Sequence, residues 1–179
     1  MKLSFNQTLQ NAVTAHKEGK LEEATRLYQE LLKFQPLEST ANNNLGTILY
    51  NNGKLIEAET CFRKAKEIKP DNFDVHFNLA NLLSKVNKFS EAEISYRKAI
   101  ELKPDFSEAH NNLGNILYKL KQFDEAEVCY RNAIKLKPDY AEAYYNLSNI
   151  FLKHHRFNEA EVSYRKAIEL KPDYAEAYQ

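Results

Sequence analysis

Pairs of asparagines, three residues apart, recur along the sequence every 34 residues. An asparagine side chain carries two donors and an acceptor, so it can bond both the N–H and the C=O of an extended peptide backbone. On a helix, residues three apart lie on one face. The pattern predicts either a row of amides that binds a peptide backbone or asparagines that are mainly structural or solvated. The members are Asn44, Asn78, Asn81, Asn112, Asn115, Asn146 and Asn149.

Other polar residues accompany this row. Asn111 and Tyr118 fall on the same polar side of their helix, which makes them further candidate partner-binding residues. Lys85, Lys119 and Lys153 recur near the end of successive helices. A lysine there is favoured by the helix dipole alone. The lysines are therefore interpreted as either ligand contacts or charges that stabilise the helix end.

No residue pattern supports catalysis. The histidines do not combine with Cys, Asp or Glu in a zinc-like motif. The sequence contains neither G-x-S-x-G nor a Gly-rich phosphate loop. Cys61 and Cys129 fall on a buried helix side and are interpreted as small core residues. The sequence therefore predicts no enzyme, no metal site and no cofactor.

Composition narrows the class of partner. The chain has 179 residues, with 25 basic and 25 acidic side chains. This balance lacks the basic face of a nucleic-acid binder and gives no reason to expect binding to anionic membranes. There is no signal-peptide-like start and no apolar run of about 20 residues. The two cysteines lie two periods apart, beyond the reach of a disulfide, which favours a reduced, cytoplasmic protein.

The spacing of 34 residues extends over almost the whole chain. All five prolines share one register: Pro36, Pro70, Pro104, Pro138 and Pro172. A fixed period between about 20 and 50 residues is typical of stacked repeats. We predict a single array over 1–179, with repeats at 5–38, 39–72, 73–106, 107–140 and 141–174, and the start of a truncated sixth repeat at 175–179.

Each repeat is predicted to contain two helices. In the fourth repeat the first runs from about Ser107 to Leu120, and the second ends before Pro138, which cannot continue it. The D-x-x-E patterns that begin at Asp105 and Asp124 predict capping boxes. Small residues in the first helices stand opposite large aromatic residues in the second helices, which predicts close helix packing. The small residues are Gly46, Ala80, Gly114 and Ser148, and the large ones are Phe62, Tyr96, Tyr130 and Tyr164.

A known family shows this pattern. The motif L-G-x-x-L-Y…A-x-x-x-[FY]-x-x-A…P closely resembles the tetratricopeptide repeat. The resemblance implies an all-α, right-handed solenoid (a superhelix) of antiparallel helix pairs, with first helices lining a concave groove. It also implies a scaffold that binds peptides or partner proteins, and the amide row is similar to the asparagine ladder of O-GlcNAc transferases. In the second repeat the motif is Leu45, Gly46, Leu49, Tyr50, Ala58, Phe62, Ala65 and Pro70.

The leading hypothesis is a non-catalytic scaffold that binds an extended peptide or partner protein in an asparagine-lined groove. One alternative is the substrate-docking arm of a larger transferase, such as a glycosyltransferase, whose catalytic domain would follow residue 179. Another is a self-associating module, a homo-oligomer formed through an uncapped C-terminal repeat and Tyr178. A carboxylate clamp is not expected, because Leu9, Val13 and Asp74 stand at positions where the clamp needs other residues.

Overall fold

In the computed structural model, which describes residues 4–172, that part of the chain forms ten α-helices and no strand. First helices of 13 residues alternate with second helices of 14 residues. Equivalent helices start 34 residues apart, as the sequence period predicts. The helices are α1 Phe5–Lys17, α2 Leu21–Phe34, α3 Ser39–Asn51, α4 Leu55–Ile68, α5 Phe73–Lys85, α6 Phe89–Leu102, α7 Ser107–Lys119, α8 Phe123–Leu136, α9 Ala141–Lys153 and α10 Phe157–Leu170.

The chain divides into two compact units, Met1–Val86 with α1–α5 and Asn87–Gln179 with α6–α10. In the first unit each helix packs on the next, and α3 also contacts α5. Tyr28 and Phe62 are buried in its core. In the second unit α6, α7, α8, α9 and α10 also pack in sequence, around the buried side chains of Tyr130 and Leu117. The division into repeats stays a prediction, and 175–179 lie outside the described residues.

Three-residue turns join each first helix to its second helix. The middle residue of every turn has a positive φ, between 57° and 76°. In the fourth repeat this residue is Lys121, and the next backbone N–H, that of Gln122, donates to the carbonyl of Leu117 at 2.9 Å. This 6→1 bond is the Schellman arrangement, which satisfies a carbonyl at the helix end. The turn residues are Gly19, Gly53, Asn87, Lys121 and His155.

The predicted capping boxes at Asp105 and Asp124 are wrong. The residues that precede α7 and α8 are Phe106 and Gln122, and neither side chain caps its helix. For α8 the cause lies in the Schellman turn, because it brings the chain into the second helix two residues earlier than the acidic pattern predicts. Asp124 instead lies in the first turn of α8, where a carboxylate interacts favourably with the helix dipole.

The predicted close packing at small residues is confirmed. A Cβ placed on Gly114 would lie 2.6 Å from Cε1 of Tyr130, and one on Gly46 would lie 2.8 Å from Cε1 of Phe62. Both rings are almost fully buried. Glycine therefore lets the two helices of a repeat approach to a distance that leaves no room for a methyl group.

Ion pairs connect neighbouring second helices in the second unit. Glu127 in α8 pairs with Arg131 of the same helix at 2.7 Å and with Arg156, before α10, at 2.9 Å. Burial works against the charged form of Glu127, but the two guanidinium groups outweigh burial and hold the pKa of Glu127 below its ordinary value. The fourth and fifth helix pairs are thus linked by charge as well as by apolar packing.

Candidate functional site

The row of asparagines lies on the first helices, as the sequence period predicts. Asn44 is in α3, and each of the following first helices carries two members three residues apart. All seven side chains are half-buried, so each is accessible along one side. The pairs are Asn78 and Asn81 in α5, Asn112 and Asn115 in α7, and Asn146 and Asn149 in α9.

In the second unit the asparagines bond to one another between helices. The Nδ2 of Asn146 donates to Oδ1 of Asn111 at 3.1 Å and to Oδ1 of Asn115 at 3.0 Å. The hydroxyl of Tyr130 also donates to Oδ1 of Asn115, at 2.9 Å. Burial raises the pKa of Tyr130, which keeps this donor protonated. These bonds hold α7 and α9 side by side and set the orientation of both amides.

The first unit uses the same kind of link. The Nδ2 of Asn78 in α5 donates to Oδ1 of Asn43 in α3 at 3.1 Å. The Nδ2 of Asn44 donates to the hydroxyl of Tyr28 at 3.0 Å. Each of these amides therefore uses its donor to join helices. Sequence reasoning could place the asparagines on one face, but it missed these bonds because they depend on the neighbouring helix.

Part of the amide remains available at five of these asparagines, Asn44, Asn78, Asn115, Asn146 and Asn149. The Oδ1 atoms of three of them accept no hydrogen bond from the residues that the structure describes: those of Asn44, Asn78 and Asn146. The Nδ2 atom of Asn115 donates none to these residues. Asn149 makes no hydrogen bond with these residues at either atom. Since Asn115 and Asn146 are hydrogen-bonded to each other, an unused donor and an unused acceptor lie close together on this face.

Asn111 differs from its prediction as a ligand contact. Its side chain is fully buried, with 0% exposure. It donates to Oε1 of Glu142 at 3.1 Å and to Oδ1 of Asn112 at 3.4 Å, and it accepts from Asn146. With every polar atom of its side chain engaged between α7 and α9, Asn111 joins these two helices.

Tyr118, another candidate contact, is half-buried and packs edge-on against Phe123, with ring centroids 5.4 Å apart.

The three lysines at the helix ends are exposed. The ammonium of Lys85 lies 4.7 Å from the ring centroid of Tyr50, and that of Lys119 lies 5.5 Å from the centroid of Phe89. A cation–π contact positions a lysine while leaving its charge uncompensated. Lys153 forms no ion pair with any residue between 4 and 172.

Two histidines have a structural role that sequence reasoning missed. Nε2 of His76 lies 2.8 Å from the carbonyl oxygen of Pro70, and Nε2 of His110 lies 3.0 Å from that of Pro104. Asn42, in the same register, donates from Nδ2 to the carbonyl of Pro36 at 3.0 Å. The signal that could have found this role is a polar residue six positions after a proline.

The two cysteine thiols have the properties of buried core residues. Burial raises the pKa of the Cys129 thiol to about 11, and burial also raises the pKa of Cys61. A thiol with a raised pKa is a poor nucleophile at neutral pH.

Within 4–172 no three His, Cys, Asp or Glu side chains gather in a group that could hold a metal ion. In the same part of the chain no helix is long and apolar enough to cross a membrane.

The surface predicted for self-association, at the C-terminal repeat, lies only partly within the described residues. Tyr178 lies outside the described residues. Leu152 at the end of α9 and Phe157 at the start of α10 are 50% and 60% exposed. Self-association stays a prediction.

The helix pairs and their polar first-helix face define a protein built from stacked α-helical repeats. Family models described as tetratricopeptide repeat match residues 37–105 and, as two successive repeats, residues 107–140 and 141–174. Together these matches cover about three-quarters of the sequence, and the chain belongs to the tetratricopeptide repeat family. No curated protein matches the sequence.

Solved structures share this fold. MamA is 21% identical with a TM-score of 0.83, and the match covers 92% of this chain and 96% of that one. YrrB, described as a TPR protein with an unusual peptide-binding site, is 24% identical with a TM-score of 0.84, covering 94% and 87%. MamA from Desulfovibrio magneticus RS-1 is 19% identical with a TM-score of 0.84, covering 94% and 96%. The predicted all-α tetratricopeptide fold is confirmed.

Proposed function

We propose that this chain is a non-catalytic scaffold that holds an extended peptide, or an extended segment of a partner protein, along the asparagine face of its first helices. The observation that carries the proposal is the pair of amides at Asn115 and Asn146. These two amides are hydrogen-bonded to each other, so their unused donor and unused acceptor lie close together, and every peptide unit of an extended chain presents one acceptor and one donor. Membership of the tetratricopeptide repeat family and the peptide-binding site described for YrrB support this reading.

Preorganisation strengthens such a site. The bonds from Tyr130 and Asn146 hold the amide of Asn115 in one orientation before a ligand arrives, which reduces the entropy lost on binding. Each peptide–amide bond contributes about 0.5–1.5 kcal/mol net. A few such bonds, less the cost of ordering the peptide, correspond to roughly micromolar affinity at best. Because the contacts are to backbone, binding tolerates many side chains.

The test is an Asn115→Asp variant. Aspartate keeps an oxygen that accepts from Tyr130 and Asn146, but it replaces the outward donor with a carboxylate oxygen that repels a peptide carbonyl. Peptides selected from a random twelve-residue library on the parent protein serve as probes in fluorescence anisotropy. We expect affinity to fall about 3- to 10-fold for Asn115→Asp, while the urea unfolding midpoint changes little.

The matched control is Asn132→Asp, the same substitution on the second helix α8, where the side chain is also half-buried. It changes net charge equally and leaves the amide face intact, so peptide affinity should stay at the parent level. The proposal is wrong if no library peptide binds the parent. It is also wrong if both variants weaken binding equally.

A further inference from the structure

The amide row belongs to a longer stripe on each first helix. In α7 the stripe is Glu108, Asn112, Asn115 and Lys119, spaced i, i+4, i+7 and i+11. At 100° per residue these positions fall within an arc of about 60°. The acid and the lysine are about 16 Å apart along the helix axis, with the two amides between them. The same stripe recurs as Asp74, Asn78, Asn81 and Lys85 in α5, and as Glu142, Asn146, Asn149 and Lys153 in α9.

Charges on the stripes differ from those on the second helices. One acidic and one basic side chain in each of four second helices neutralise each other as an i,i+4 ion pair: Glu59–Arg63, Glu93–Arg97, Glu127–Arg131 and Glu161–Arg165. By contrast, four charged residues of the α7 and α9 stripes form no ion pair with another residue of 4–172: Glu108, Glu142, Lys119 and Lys153.

Neutral contacts hold two of the stripe's charged groups in place. Oε1 of Glu142 accepts from Asn111, and the ammonium of Lys119 lies over the ring of Phe89. These contacts position both groups and leave their charges available to a ligand.

In the second unit the hydrogen bonds between Asn146 and α7 place two stripes side by side. One edge of the paired stripes carries Glu108 and Glu142, the other carries Lys119 and Lys153, and the amides form the strip between them. A peptide backbone bonded to the amides would therefore run between an acidic edge and a basic edge. The two edges favour basic side chains on one side of the peptide and acidic side chains on the other.

We infer that the ligand of this face is an extended segment that carries basic and acidic residues in a three-residue period, an inference that rests on the proposed function. Polyproline II backbone has three residues per turn and rises about 9.3 Å per turn. The bonds of Asn146 join α7 to α9 directly. Helices in contact are about 8–10 Å apart, so one turn of the peptide matches the step from one stripe to the next. Within a triplet, one basic residue meets the acid, one acidic residue meets the lysine, and a small third residue lets the backbone reach the amides.

Three labelled twelve-residue peptides test this inference by fluorescence anisotropy. The first has four Lys-Ser-Glu triplets, the second has the same composition as three blocks (four Lys, four Ser, four Glu), and the third is neutral, with four Gln-Ser-Gln triplets. An exposed ion pair is worth about 1.4- to 5-fold in affinity. With four stripe charges in the second unit, we expect the triplet peptide to bind on the order of tenfold tighter than either other peptide at low salt. The advantage should disappear in about 1 M NaCl, where charges are screened within about 3 Å.

A stripe variant replaces all four charged residues, Glu108, Glu142, Lys119 and Lys153, with glutamine. It keeps the net charge of the protein and the side-chain oxygen at position 142 that accepts from Asn111. It should bind the triplet peptide no better than the neutral one. The control, Glu161→Gln with Arg165→Gln, removes an exposed second-helix pair and should bind like the parent. Equal affinity of the triplet and block peptides, or an unchanged stripe variant, would overturn the inference. If Asn115→Asp still weakens the neutral peptide in that case, the proposed function stands alone. If no peptide binds the parent, both fall.

Discussion

Replacing Gly114 with alanine is expected to destabilise the second unit by about 1–3 kcal/mol. The new methyl group would meet three ring atoms of Tyr130, at 2.6, 2.8 and 2.9 Å. The ring is 2% exposed, and its hydroxyl bond to Asn115 restricts any movement away from α7. Overpacking costs about 1–3 kcal/mol, and loss of the hydroxyl bond costs about 0.5–1.5 kcal/mol. The better helix propensity of alanine offsets about 1 kcal/mol.

Urea unfolding followed by circular dichroism measures this change, and Gly46→Ala is the matched control. A methyl group on Gly46 would meet Phe62 at 2.8 Å, and Phe62 has no hydroxyl bond to lose. Gly46→Ala should therefore cost roughly 1 kcal/mol less than Gly114→Ala. A Gly114→Ala protein at least as stable as the parent would refute the reasoning, because the ring would then move aside without penalty.

Lys121→Gly should raise stability by about 0.5–1 kcal/mol in urea unfolding. Lysine at φ 65° costs about 1–2 kcal/mol, which glycine removes, and the greater backbone freedom of glycine in the unfolded chain offsets about 0.5–1 kcal/mol of that gain. His76→Leu should lower stability by about 1–2 kcal/mol by leaving the carbonyl of Pro70 unbonded, whereas His76→Asn should stay close to the parent. Glu127→Gln should cost about 0.5–1 kcal/mol at pH 7. Since the folded pKa of Glu127 lies below its unfolded value, its contribution is present above the unfolded pKa, and that difference should shrink as the pH falls through the folded pKa.

The helices could be predicted because their causes are local. Pro138 ends the second helix of the fourth repeat wherever the rest of the chain lies, and the small Gly114 opposite the large Tyr130 implies close packing from sequence alone. The observed α7 and α8 end within one residue of their predicted ends. The start of α8 was predicted wrongly, with a cap at Asp124, because Lys121 gives no sign of the left-handed conformation that moves the helix start.

The amide face could be predicted only in outline. Spacing alone places Asn115 and Asn146 on one side of their helices. The burial of Asn111 and the direction of each amide depend on which groups the adjacent helix presents, and that information is not local. The same is true of His76, whose partner is a turn carbonyl and not another side chain.

The amides of α7 and α9 have two roles at once, since they hold the helices together and face the proposed ligand. A peptide that bonds to Asn115 and Asn146 would polarise the bonds that already join these asparagines, and so strengthen them. Ligand binding and the coupling between neighbouring repeats would then be thermodynamically linked. In a linear array where each repeat is stabilised by its neighbours, a bound peptide would make adjacent repeats unfold together rather than one at a time.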